Sequence, residues 1–167
     1  MGTSLLQQWL KTPAMVGAIL PSSQHLARAM ARHAGEADAL IELGAGTGTI
    51  TRELVRQHPR VPLILFEQSA ALAGRLHSLF PHAEIIAECF HRRADRLAQL
   101  PERAVFVSSL PFRSLPANIA IPTITALNRL LSGHPQRRLI QFTYQPRAPF
   151  RAPAGLAWHR YVTVWRN

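Results

Sequence analysis

"ALIELGAGTGTIT", residues 39–51, decides the fold. Ala39–Leu43 is an apolar run holding one acidic residue, the pattern of a strand buried on both faces. It breaks into Gly44-Ala45-Gly46-Thr47-Gly48 and then into a helical pattern from Thr49. Glycines let the backbone turn tightly from strand to helix and approach a bound molecule closely, and the helix start offers unbonded N–H groups. The stretch is therefore a ligand loop closing a first strand. A dinucleotide fingerprint would need its third glycine at position 49, where Thr49 stands, so that reading fails. A Walker loop fails too, because no Gly-Lys-Ser/Thr is present.

Outward from this loop, apolar runs bounded by turn residues alternate with helical patterns, the signature of strand-helix units in a mostly parallel sheet. Strands are predicted at Ala39–Leu43, Pro62–Phe66, Glu84–Ala87, Arg103–Ser108, Arg137–Phe142 and Arg160–Trp165. Helices are predicted at Gln24–Ala34, Thr49–Gln57, Ala70–Phe80 and Ala117–Leu131, the last kinked or delayed by Pro122. The second strand ends in Phe66-Glu67-Gln68, and an acidic residue at that tip is placed to accept two ribose hydroxyls, as in other doubly wound folds. Two segments precede the sheet and form a predicted lid, Ser4–Leu10 and the stretch from Pro13 to Ala34. In the first, Leu5, Leu6, Trp9 and Leu10 share one face, either packed on the domain or laid on a membrane. Pro21-Ser22-Ser23 caps the helix that starts at Gln24.

At 167 residues the chain fits one domain, 1–167, divided into a helical lid and membrane-contact segment at 1–35 and an α/β core at 36–167. Nineteen basic against nine acidic residues give a net charge of +10, almost all of it from arginine, because Lys11 is the only lysine. Arginine's planar fork suits phosphate, so an anionic partner is expected, nucleic acid or an acidic membrane surface, with a merely solvated basic surface as the plain alternative. The single cysteine, Cys89, excludes an internal disulfide and a multi-cysteine metal site. The apolar run from Ala14 to Leu20 is too short to span a bilayer. The eight histidines show no metal-ligand spacing, and His33, His58 and His82 fall near element ends. No metal is expected, and the chain reads as cytoplasmic or peripherally attached.

The spacing Glu-x-Gly-x-Gly-x-Gly from Glu42 to Gly48 resembles the first motif of class I S-adenosyl-L-methionine-dependent methyltransferases. That resemblance implies a Rossmann-like sheet with helices on both faces and places Glu42 near the amino-acid end of the cofactor. In the third-strand turn the family shows Gly-Asp-Ala where this chain has Ala87-Glu88-Cys89, which makes Glu88 the contact for the adenine amino group and sets Cys89 and Phe90 against the ring. With the glycine loop, Gln68 and Ser108, and with Ser22 and Ser23 closing over the methionine part, these residues make up the expected cofactor site.

"SSLPFRSLP" (108–116) stands where amino-methylating members carry Asn/Asp-Pro/Leu-Pro-Tyr/Phe. There a side-chain oxygen and a backbone carbonyl hold a planar amine, and the aromatic residue stacks on the base. Ser109 departs from this pattern: a hydroxyl has shorter reach and a single polar atom. The carbonyls of Ser109 and Leu110 and the face of Phe112 are expected to remain for the substrate, with Tyr144 as a further candidate. Together with "PAMVGAILPSSQHLARAM" (13–30) and "QFTYQPRAP" (141–149), the stretch resembles bacterial phospholipid N-methyltransferases of the phosphatidylethanolamine type, relatives of ribosomal RNA adenine dimethylases. That family continues past a "WRN"-like stretch into one more strand, so the sheet is expected to lack its last strand here. The resemblance implies methylation of phosphatidylethanolamine or a similar amino-lipid at the inner face of the membrane, with Arg113 and Arg147 as phosphate clamps and a monomer as the default. Nucleic acid ranks behind the membrane as partner. A ribosomal RNA adenine N6-dimethyltransferase and a non-catalytic S-adenosylmethionine-binding protein are the two alternatives.

Overall fold

A computed structural model describes residues 24–143, 147–159 and Val164. The predicted helix Ser4–Leu10, Ser22, Ser23, Tyr144 and, save for Val164, the predicted strand Arg160–Trp165 lie outside the described residues. The elements in chain order are α1 (Gln24–Ala34), β1 (Ala39–Leu43), α2 (Thr49–Gln57), β2 (Leu63–Phe66), α3 (Ala70–Leu79), β3 (Glu84–Ile86), α4 (Phe90–Arg93), a 3-10 turn (Ala94–Leu97), β4 (Ala104–Ser108), α5 (Ala117–Leu131) and β5 (Arg138–Gln141).

The strands form one sheet in the order β3-β2-β1-β4-β5, and every pairing is parallel. β1 and β4 are buried along their whole length, as their largely apolar sequences require when helices cover both faces. Alternate residues divide between two cores. Ile41, Phe66 and Phe106 pack with α4, the 3-10 turn and the inner face of α5. Leu40, Leu65, Val105 and Val107 pack with α1, α2 and α3 on the other side. In α1 the buried residues Leu26, Ala27, Met30, Ala31 and Ala34 recur at helical spacing and form its apolar stripe.

Three details refine the predicted elements. Phe80 ends α3 as its C-cap, with its N–H on Leu76 O at 2.8 Å and its ring buried. Pro122 sits inside α5 without delaying its start; a proline this early in a helix removes one bond and leaves the turns beyond it paired. The edge strands β3 and β5 are shorter than predicted, each losing a residue at one or both ends. The crossover after β1 runs to β2 on one side and the crossover after β4 runs to β5 on the other, so the winding reverses between the carboxyl ends of β1 and β4. A crevice for a ligand opens at such a switch point.

Candidate active site

The loop after β1 is bound into the sheet by its own backbone. Gly44 and Ala45 both donate N–H groups to Phe66 O, at 2.9 and 3.2 Å, and Gly48 N reaches Ala45 O at 2.9 Å. Gly44 (φ 75°) and Gly48 (φ 81°) occupy the left-handed region, and neither has room for a side chain. A Cβ at Gly44 would meet Leu110 Cδ2 at 2.7 Å, and one at Gly48 would meet Phe80 Cε2 at 2.8 Å. Glycine is required at both positions by conformation and by packing together.

Two acidic side chains flank this loop in different surroundings. Glu67, buried at the tip of β2, accepts Gly46 N through Oε2 at 2.8 Å and Ser69 N through Oε1 at 2.7 Å. Each oxygen keeps a second lone pair, so the carboxylate can take two hydroxyls while still holding the loop. Glu42 lies beneath, 1% exposed, with Oε2 accepting the Thr51 hydroxyl at 2.7 Å and Oε1 without a partner. Burial, with the neighbouring Glu67 charge adding to it and Thr51 opposing, pushes the Glu42 carboxyl from its ordinary 4.5 up to about 8. At neutral pH Glu42 is therefore chiefly a neutral acid under the loop.

A cleft runs from Gly44 past the ends of β2 and β3, lined by Glu67, Gln68, Glu88, Cys89 and His91, and closed on the α5 side by Leu115, Ile119 and Thr123. Glu88 Oε1 accepts Cys89 N at 3.0 Å and faces Arg92 at 3.7 Å. The Cys89 thiol donates to Gln68 Oε1 at 2.7 Å, and burial holds its pKa above the usual thiol value, so it is a structural donor and not a nucleophile. Phe90 is a core residue, edge-on to Phe66 with centroids 5.1 Å apart, and also touches the cleft. The cleft encloses about 50 Å3, well under the roughly 300 Å3 of a typical ligand pocket. Leu110, Leu115 and Ile119 are aliphatic side chains of its lining.

The donor set fits S-adenosyl-L-methionine. Glu67, Gln68, Glu88 and Cys89, which the sequence assigns to the ribose and adenine, line one cleft with Gly44, and the backbone at Gly46 is open, a Cβ there approaching nothing nearer than Gly44 O at 3.9 Å. Thr47 is exposed at the loop's outer edge, sharing a hydrogen bond with Thr49 at 3.2 Å.

The substrate loop differs from the expected arrangement. Ser108 is fully buried and turns its hydroxyl inward to accept Leu110 N at 3.2 Å. Ser109 Oγ donates to Gly44 O at 3.4 Å, so its proton is directed at the cofactor loop. The Leu110 carbonyl, expected to be free, accepts both Phe112 N at 2.9 Å and Gln141 Nε2 at 2.8 Å, which occupies its two lone pairs. The Phe112 ring, expected to face the substrate, is 6% exposed and packs edge-on against Phe150 at 4.9 Å, which in turn meets Trp158 at 5.2 Å. Arg113 Nη1 donates to Ala148 O at 3.3 Å across the same contact, and Arg147 is exposed. Sequence reasoning passed over Thr51, His91, Thr123, Gln141 and Phe150. Only Thr51 carried a local signal, standing on the inward face of α2 next to the loop; the others are joined across the sheet.

No protein-family model matches the chain. It is 32% identical over 107 residues to ribosomal RNA small subunit methyltransferase A of Thermotoga petrophila, covering 62% of this chain and 39% of that protein. With the Thermotoga maritima protein of the same name the identity is 32% over 129 residues, 76% of this chain and 42% of the relative. The chain thus spans about two fifths of the curated relatives it matches. Among solved structures, the plantazolicin methyltransferase BpumL in complex with SAH aligns with a TM-score of 0.55 at 15% identity, over 77% of this chain and 49% of that one. A TehB-like SAM-dependent methyltransferase from Corynebacterium glutamicum aligns at 0.52 with 18% identity, over 81% and 68%. The chain has the class I, Rossmann-like methyltransferase fold, and in sequence it is related to ribosomal RNA methyltransferases.

Proposed function

We propose that this chain transfers a methyl group from S-adenosyl-L-methionine to an amine nitrogen held at the carboxyl ends of β1 and β4, and that the amine belongs to RNA. Methyl transfer is carried by one observation: the glycine loop, Glu67 and the adenine-end residues converge on a single cleft. RNA is supported by the relatives named for ribosomal RNA and by the net charge of +10, which suits a phosphate backbone. These relatives reverse the order of substrates that Ser109 alone suggests.

When bound, S-adenosyl-L-methionine would supply an electrophilic methyl, its C–S bond breaking onto sulfur as the N–C bond forms, and the methylated nitrogen would give one proton to solvent. The protein's own task is alignment and exclusion of water. Glu67 braces the loop at Gly46 N. The apolar walls at Leu110, Leu115 and Ile119 keep the reacting end dry. No side chain in the cleft is required as a strong base toward an aromatic amine.

A second reading, an amino-lipid such as phosphatidylethanolamine, is favoured by a specific observation: Ser109 turns away to Gly44 and Phe112 lies under Phe150, so among the described residues 108–112 form no planar clamp with an open aromatic face. The test incubates the chain with methyl-labelled S-adenosylmethionine and either structured ribosomal RNA fragments or phosphatidylethanolamine vesicles containing anionic lipid. Label in RNA is expected. Label in lipid alone shifts the conclusion to the second reading, and cofactor binding without label in either would leave a binding protein.

A further inference from the structure

Gln141 closes β5 directly opposite Ser108 of β4, which brings its side chain to the substrate loop. Its Nε2 donates to Leu110 O at 2.8 Å and to Phe142 O at 2.7 Å. Both partners are carbonyls that can only accept, so the orientation of the amide is determined and Oε1 is turned away from them. That oxygen is buried and has no donor. Among the described residues only one other buried side-chain oxygen shares this condition, Oε1 of Glu42 beneath the cofactor loop.

An amine positioned for methyl transfer must direct its lone pair at the methyl carbon and give its remaining hydrogens to acceptors. Leu110 O has no capacity left, and the Ser109 hydroxyl is engaged with Gly44 O. A buried acceptor without a donor is destabilising and calls for a partner. We infer that Gln141 is a specificity-determining residue for the methyl-transfer reaction proposed above: its amide oxygen receives an N–H of the substrate amine, the role that an Asn or Asp at position 109 would otherwise fill. The amide is neutral and no base, so it orients the nitrogen and moves no proton. It also counts hydrogens, since each methyl added to the nitrogen removes a donor.

The inference rests on the methyltransferase reading, and its test separates the two. Wild type and Gln141→Met, which keeps length and volume without a donor or acceptor, are assayed for transfer on adenosine-containing RNA and on phosphatidylethanolamine vesicles, with RNA carrying N6,N6-dimethyladenosine and vesicles of the N,N-dimethyl lipid as the partners that keep no N–H. On whichever substrate wild type accepts, the unmethylated amine is expected to bind at least about tenfold more tightly than its dimethyl partner. Gln141→Met is expected to raise KM for that amine about tenfold and erase the preference, with S-adenosylmethionine affinity by calorimetry within about twofold of wild type. An equal loss on both members of the pair would make Gln141 a brace for Leu110 and overturn the inference. So would a wild type indifferent to the N–H count, a measurement that needs no variant. Transfer to neither substrate would instead remove the methyltransferase reading, and the inference with it.

Discussion

Replacing Glu42 by glutamine should uncouple the stability of this chain from pH in a direction that the structure determines. Glu42 is fully buried, its Oε1 lacks a partner, and burial raises its carboxyl from 4.5 to about 8. Between those values the folded state keeps a proton that the unfolded state has already released. The unfolded state thus binds fewer protons, and the free energy of unfolding falls as pH rises, by about 1.4 kcal/mol per pH unit for one group. From pH 5.5 to 7.5 the loss from Glu42 amounts to about 2.5 kcal/mol. Glutamine keeps a side-chain oxygen for the Thr51 hydroxyl and carries no proton to lose. Urea unfolding of wild type and Glu42→Gln, followed by circular dichroism at both pH values, should show the variant gaining about 2.5 kcal/mol on wild type between pH 5.5 and pH 7.5. His91, whose pKa is lowered mainly by desolvation, contributes a slope of opposite sign. It does so in both proteins and cancels in the difference. A difference that stays constant across the two pH values within about 0.5 kcal/mol would refute the burial argument.

Glu67→Ala removes the acceptor for Gly46 N and Ser69 N together with the ribose partner. At about 1.5–3 kcal/mol for a bond to a charged group, S-adenosylmethionine affinity should fall roughly 10- to 100-fold by calorimetry, and Glu67→Gln less. Gly44→Ala forces φ near +75° on a residue with a Cβ 2.7 Å from Leu110 Cδ2. It should cost about 1–3 kcal/mol in thermal unfolding, and an unchanged midpoint would show that Leu110 yields freely.

The cofactor half of the site was legible because its signals are local. The strand Ala39–Leu43 is buried on both faces and announces itself as an apolar run interrupted only by Glu42. The glycine spacing follows at once, and Glu67 stands at the tip of the strand whose residues pair Leu40 to Leu43 in register. The substrate half was misread in part, although the stretches involved, 108–116 and 141–149, had been singled out. Whether the Leu110 carbonyl is free depends on Gln141, 31 residues away. Whether the Phe112 ring is open depends on Phe150, brought back over the loop by a segment whose Trp158 Nε1 is tied to Phe150 O at 3.2 Å. No periodicity encodes either fact, because each is a pairing between segments and not a property of one.

The same distinction bears on Ser109. Taken along the chain, a serine in place of asparagine is the loss of an acceptor, and the natural conclusion is a substrate that needs none. Taken across the sheet, the acceptor count is conserved, since β5 delivers an amide whose oxygen is buried and unmatched beside the loop that lost one. Ser109 therefore ceases to discriminate between a planar and a tetrahedral amine by its identity alone. What discriminates is whether an amine nitrogen donates to Gln141, and a nitrogen with no hydrogen left cannot.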